Sequence, residues 1–220
     1  TDTTTVDFSG ADVTDLNWFN TTCPNGGNSG LNLGTCCGFL NGADDVSGCE
    51  DAPVMTGADL SGQDFSGEVV RDLDLVNANL ANTNFSNSDL AGQDLTGANL
   101  AGANLSGADL TGATLNGASL FGADLSGAIL TGASGHSLVS CPDVLPDEWV
   151  CVDQVLFGPG VNYAGVNLGE LNNEQQFNLD NVNLTGANFS GANLRARLQN
   201  GNLSDSNFDG AVVHFEDSNR

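Results

Sequence analysis

The residues best suited to chemistry in this chain are six cysteines: Cys23, Cys36, Cys37, Cys49, Cys141 and Cys151. An even count, placed outside the regular part of the sequence, points to disulfides and an oxidising compartment. Zinc is the alternative for the first four. A tetrahedral thiolate site is usually assembled from C-x₂-C pairs, and the sequence contains none. Cys141 and Cys151 bracket Pro142–Val150 at a distance natural for a local disulfide loop, whereas the pairing among the first four is left open.

The other candidates are weaker. His136 is followed by Ser137, but no third member stands at a spacing known for hydrolytic triads. The second histidine, His214, lies near the C-terminal end, and no phosphate-binding Gly-Lys motif occurs. Glu68 falls at a position expected to face inward, with Arg71 its nearest partner; a local ion pair is expected there, not a catalytic carboxylate. Asn-x-Ser/Thr triplets occur at Asn20, Asn84, Asn104, Asn183, Asn188 and Asn202. Most follow from the repeat described below, which leaves Asn20, at a loop entrance, as the candidate glycan site. No catalytic residue, metal ligand or cofactor is expected.

Composition narrows the setting. The chain of 220 residues carries 28 acidic and 4 basic side chains, a formal net charge of −24. The basic residues are Arg71, Arg195, Arg197 and Arg220, with no lysine. Such a charge repels nucleic acid and anionic lipid and favours cations, basic partners or a saline medium. Divalent cations or glycans on the acidic surface are the small partners expected. A disordered acidic chain would be poor in apolar residues, yet 40% of this one is hydrophobic. No apolar run approaches the roughly 18 residues of a membrane span, so no membrane insertion is expected. The first five residues are polar without a basic start, so an exported form would be read as mature.

The elements that position these residues come from a period of five. Residues Pro53–Gly132 divide into sixteen such units. The middle residue of each is apolar: Met55, Leu60, Phe65, Val70, Leu75, Leu80, Phe85, then Leu at every fifth position from Leu90 to Leu130. Two residues earlier the side chain is usually small, as at Ala98–Ala128; Gln63, Glu68, Leu73 and Gln93 depart from this. Asn or Asp mostly precedes the centre. The last position is Gly in twelve units and Asp72, Asn77, Asn82 or Asn87 in the others. These are the residues that tolerate positive φ, so each unit should end in a tight turn. Neither a helix nor an alternating strand has this period.

Units such as Ala98-Asn99-Leu100-Ala101-Gly102 and Ala108-Asp109-Leu110-Thr111-Gly112 closely resemble the A-(D/N)-L-x-x motif of the pentapeptide-repeat family. The resemblance implies an all-β fold, a right-handed quadrilateral parallel β-helix with four units per coil. Coils would then stack at strand spacing, about 4.8 Å, with Phe65 directly under Phe85.

One solenoid domain over 1–220 is expected: first repeats in 1–20, a cysteine-rich loop excursion in 21–52, the regular array in 53–132, a disulfide-bearing loop insertion in 133–160, and C-terminal repeats in 161–220. In the last segment the centres are Tyr163, Leu168, Leu179, Leu184, Phe189, Leu194, Leu198, Leu203, Phe208 and Val213. The register gains one residue between Leu171 and Gln176 and loses one near Arg195-Ala196, which suggests a bulged corner at each place.

Function should therefore lie in the interruptions and the ends. The leading expectation is a secreted or cell-surface structural protein, not an enzyme, that stacks head to tail with itself into a fibre. Val6, Phe8 and Val13 at one end would meet Phe208 and Val213 at the other, because open solenoid ends expose core and unpaired backbone and no capping helix is read at either. A monomeric surface or lumenal binding module is the first alternative. The second is suggested by cytoplasmic family members that mimic DNA and bind type II topoisomerases; the charge suits it and the cysteines oppose it.

Overall fold

The structure is a computed structural model and describes residues 57–71, 73–171 and 176–214. The expected sites at Val6, Phe8, Val13, Asn20, Cys23, Cys36, Cys37 and Cys49 lie outside these residues.

Each five-residue unit forms one side of a square coil, and four sides bring the chain back above its start. Asp59 bridges Asn79, which bridges Asn99, in parallel and at twenty-residue spacing. The same spacing holds for Asp64, Asn84, Asn104, Asp124 and Val144, and for Val69, Asp89, Asp109 and Ile129. The N–H of most centres donates to the coil above, as Leu100 does to Ser119 at 2.8 Å. Within a coil the centre's carbonyl accepts the N–H three residues on, as between Leu75 and Ala78 at 3.1 Å. That closes a turn whose third residue alone has positive φ, the requirement of a type II turn. Gly does this at most corners; Asn77, Asn82 and Asn87 do it at φ 57–58°.

The centres from Leu60 to Leu130 are buried in one continuous core with the alanines two residues before them. Phe65 and Phe85 stack at 5.4 Å with rings 12° apart, as twenty-residue stacking requires. Of the departures from small residues, Leu73 and Gln93 are buried. Gln93 donates to the Leu73 carbonyl one coil below at 2.5 Å.

The structure corrects three expectations about the interruptions. Residues 133–160 do not simply leave the solenoid. Ser134 bridges Thr114, Ser140 bridges Ser119 and Val144 bridges Asp124, so this stretch builds three sides of the next coil. Only then does the chain depart from the pattern, in an antiparallel hairpin of β1 (Val150–Val152) and β2 (Val155–Phe157). All three residues of β2 are buried. Side chains alternate along a strand. Leu156 accordingly belongs to the core below, and Val155 and Phe157 to a second core above. The hairpin is a partition across the solenoid, with Trp149 packed against both cores.

The second correction is the register gain. Asn162 pairs with Asn188 and Asn167 with Asn193, twenty-six residues apart. The step from Leu168 to Leu179 is therefore a single side lengthened by six residues, not a whole unit with a one-residue slip. It begins with a short helix, α1 (Leu168–Leu171), a small exception to an all-β chain. The third concerns the residue lost near Arg195-Ala196. Asn183–Asn202 and Asn188–Asn207 pair at nineteen. The missing residue leaves no bulge; the corner is drawn straight into β4 (Asn193–Arg197), which buries Leu194 and Ala196. In parallel pairing, β4 lies between β3 (Phe177–Asn178) and β5 (Val212–His214).

Candidate functional site

Most of the acidic and amide side chains that precede the centres are occupied by the fold; Asn193, whose buried Oδ1 has no hydrogen-bond partner, is an exception. Their Oδ1 atoms accept the backbone N–H two residues later: Asp64 from Ser66 at 3.0 Å, Asp109 from Thr111 at 2.9 Å, Asn202 from Ser204 at 3.1 Å. In the regular array, where Asn stands above, its Nδ2 also donates to the coil below. Asn99 reaches Asn79 at 2.9 Å and Asn79 reaches Asp59 at 2.8 Å. Asn104, Asn84 and Asp64 form a parallel ladder on the adjoining side. An Asx turn followed by a ladder explains why Asp and Asn recur before the centre. Hydrogen bonds from Ser61 and Ser66 hold the Asp59 and Asp64 carboxyls below the ordinary value. Thr111, with a smaller share from Arg71, does the same for Asp109.

Glu68 does not pair with Arg71 as expected. The bridge between Val69 and Asp89 sets Asp89 on the next coil beside Arg71, and the guanidinium meets it at 2.9 Å. Glu68 stays half-buried at the inward position of its unit. Arg197 binds Asp180 at 2.6 Å and Asn178 at 3.1 Å, which ties β4 to the side below it. His136 lies 3.2 Å from the Ser137 hydroxyl, and burial lowers its pKa. No carboxylate bonds to its ring among the described residues, so the pair lacks the third group a triad needs.

Two places remain where the repeat stops serving only itself. At the first, Cys141 is disulfide-bonded to Cys151, with Cα atoms 6.0 Å apart. The bond ties one solenoid side to β1. Nearby, the Tyr163 hydroxyl reaches the carbonyls of Leu156 at 2.6 Å and Gly135 at 2.9 Å. Burial pushes this phenol well above its ordinary pKa, so it stays a neutral donor. Gly135 stands where the repeat would put a leucine, over Leu115. A Cβ there would sit 2.7 Å from Leu156 Cδ1, so the partition's leucine fills the space the glycine leaves.

At the second place, the last described coil, the centres change character. Leu100, Leu105, Leu110 and Leu115 have no exposed surface. Leu203, Phe208 and Val213 are only half-buried, and Val212 is exposed. Phe208 stacks on Phe189 at 5.0 Å. Among the described residues the N–H groups of Leu203 and Phe208 have no further coil to donate to. Phe208 and Val213, two of the residues expected at an end-to-end contact, belong to the last described coil. The residues expected on the opposite side of that contact, Val6, Phe8 and Val13, fall outside the described residues.

The family model described as pentapeptide repeats matches residues 54–92, 74–112, 98–134 and 175–196, with 8 copies. Comparison with curated proteins finds no match. Among solved structures, the chain is similar to HetL, a pentapeptide-repeat protein involved in heterocyst differentiation regulation from the cyanobacterium Nostoc sp. strain PCC 7120. The identity is 25%, the TM-score 0.39, and 72% of this chain and 82% of that chain are covered. It is also similar to the pentapeptide-repeat protein Rfr23 from the cyanobacterium Cyanothece 51142, at 25% identity and TM-score 0.24, over 63% of this chain and 58% of that one. A third is QnrB1, a plasmid-mediated fluoroquinolone resistance protein, at 17% identity and TM-score 0.28, over 73% and 77%. Matched repeats, a twenty-residue coil and a positive-φ residue at every described corner of the array lead to one conclusion: the chain belongs to the pentapeptide-repeat family.

Proposed function

We propose that this protein is a non-enzymatic structural protein of an extracellular or cell-surface setting, which associates head to tail into a fibre. The observation that carries this reading is the half-buried apolar coil formed by Leu203, Phe208 and Val213, where the Leu203 and Phe208 N–H groups have no backbone partner among the described residues. A parallel β-edge with exposed core is a template for one more coil. The complement in this reading is the N-terminal stretch of another copy, where the sequence sets Phe8 and Val13 five residues apart with Val6 two residues before Phe8. Such contacts are heterologous and do not close, so they propagate. The Cys141–Cys151 bond supports an oxidising compartment.

The charge of −24 works against association. Each added copy raises the repulsion, and salt screens it over about 8–10 Å at physiological strength. Assembly should therefore be favoured by salt, which agrees with the saline setting suggested by the composition. Negative-stain electron microscopy of concentrated protein in low and high salt tests the reading. Filaments one solenoid wide that lengthen with salt are expected; isolated short particles in both conditions would count against it.

A further inference from the structure

Residues that follow a repeat centre are small or polar in the regular array except for Val76 and one aromatic, Phe121. Phe121 is 70% exposed. The coil above carries Val139, 71% exposed, and Val144, 43% exposed. The bridges Ser119–Ser140 and Asp124–Val144 set these stretches side by side, one strand spacing apart. Three large apolar side chains are thus exposed on adjoining stretches of two neighbouring coils; among the described residues Ile129, 50% exposed, is the other large apolar side chain exposed on the regular array. Packing does not call for them, since Leu120 and Leu125 fill the core beneath.

These stretches are braced. Cys141 lies between Val139 and Val144 in the chain, and its bond to Cys151 ties the segment to β1, whose partner β2 is buried in the core. The same disulfide-closed loop exposes Asp143, Asp147 and Glu148, and Asp143 accepts the N–H of Gly122, the residue after Phe121, at 3.1 Å. Apolar anchors inside a charged rim are the anatomy of a protein-binding surface. We infer that these stretches form a docking surface for a basic amphipathic segment of another protein, with Phe121 as its anchor. The sign of the rim selects the occupant. A second copy would bring the same acidic rim against itself, and nucleic acid or an anionic membrane would be repelled. A fixed surface also lowers the ordering cost of binding.

The test uses the full-length, oxidised protein and a synthetic helical peptide with one lysine face and one leucine face, titrated by calorimetry. A peptide with serine in place of leucine controls for charge. Binding of the Lys/Leu peptide is expected, weakening as salt rises. Phe121→Ser with Val139→Ser should lower affinity about tenfold or more, as loss of a buried aromatic anchor does. Asp147→Asn with Glu148→Gln, which leaves the apolar centre intact, should lower affinity severalfold and flatten the salt dependence. Equal binding of the Lys/Ser peptide, with no effect of the Phe121/Val139 substitutions, would overturn the inference. So would self-association of the wild type that those two substitutions abolish, because the occupant would then be a second copy.

Discussion

The Tyr163 hydroxyl lies 2.6 Å from the Leu156 carbonyl oxygen, at the boundary between the two cores of the solenoid. Tyr163 is a repeat centre of the upper array, and Leu156 belongs to the hairpin that partitions it from the lower one. Tyr163→Phe keeps the ring's packing and removes a hydroxyl whose one proton is shared between the Leu156 and Gly135 carbonyls and whose oxygen accepts the Gly135 N–H. A loss of about 1–3 kcal/mol is expected, read as a lower midpoint in urea unfolding.

Gly135 offers a sharper test, because the repeat itself recommends leucine there. Gly135→Leu should nevertheless destabilise by about 1–3 kcal/mol through overpacking against Leu156. Leu156→Ala leaves a cavity on its own. The double variant should be more stable than the sum of the two losses, since one side chain then fills the space of the other. Thermal unfolding of the three variants measures this coupling.

Breaking the clamp should loosen the hairpin before the array. Replacing Cys141 and Cys151 by serine reopens a short loop and should cost about 3 kcal/mol by loop-closure entropy. Limited proteolysis is expected to cut within 142–149 in the variant or after reduction, while the regular array stays resistant.

Acid should act through the Asx turns. Asp59, Asp64 and Asp109 have folded values below the ordinary 3.8, so they stabilise the fold above it. That stabilisation fades as pH falls through their depressed values. From neutral pH down towards 4, relief of the net negative charge works the other way and should raise the melting temperature slightly. A shallow rise followed by a drop is expected in a pH series of thermal melts. Asp64→Asn should narrow its difference from wild type at the acid end.

Much of the array was legible because each unit repeats the same local demand. Asn77, Asn82 and Asn87 stand at positive φ, as residues replacing glycine at a corner must. Phe65 and Phe85 stack because four units make a coil. The Asx turns had a signal in the recurring Asn or Asp before each centre, but the partner is a backbone N–H that a residue pattern does not show. The partition was not legible. Gly135, Leu156 and Tyr163 meet across a hairpin, and nothing local to Gly135 says that a leucine twenty-one residues later takes its place. The side between Leu168 and Leu179 misled for a related reason: six added residues nearly equal one repeat, so an insertion at a corner read as a unit with a slip.

The proposed head-to-tail association is tested most directly by sedimentation velocity of the oxidised protein over a concentration series in high salt. A distribution that shifts to larger species as concentration rises, and returns to the single subunit on dilution into low salt, is the predicted result. A single species with the mass of one chain, 22.5 kDa, at every concentration and in both salts would contradict it.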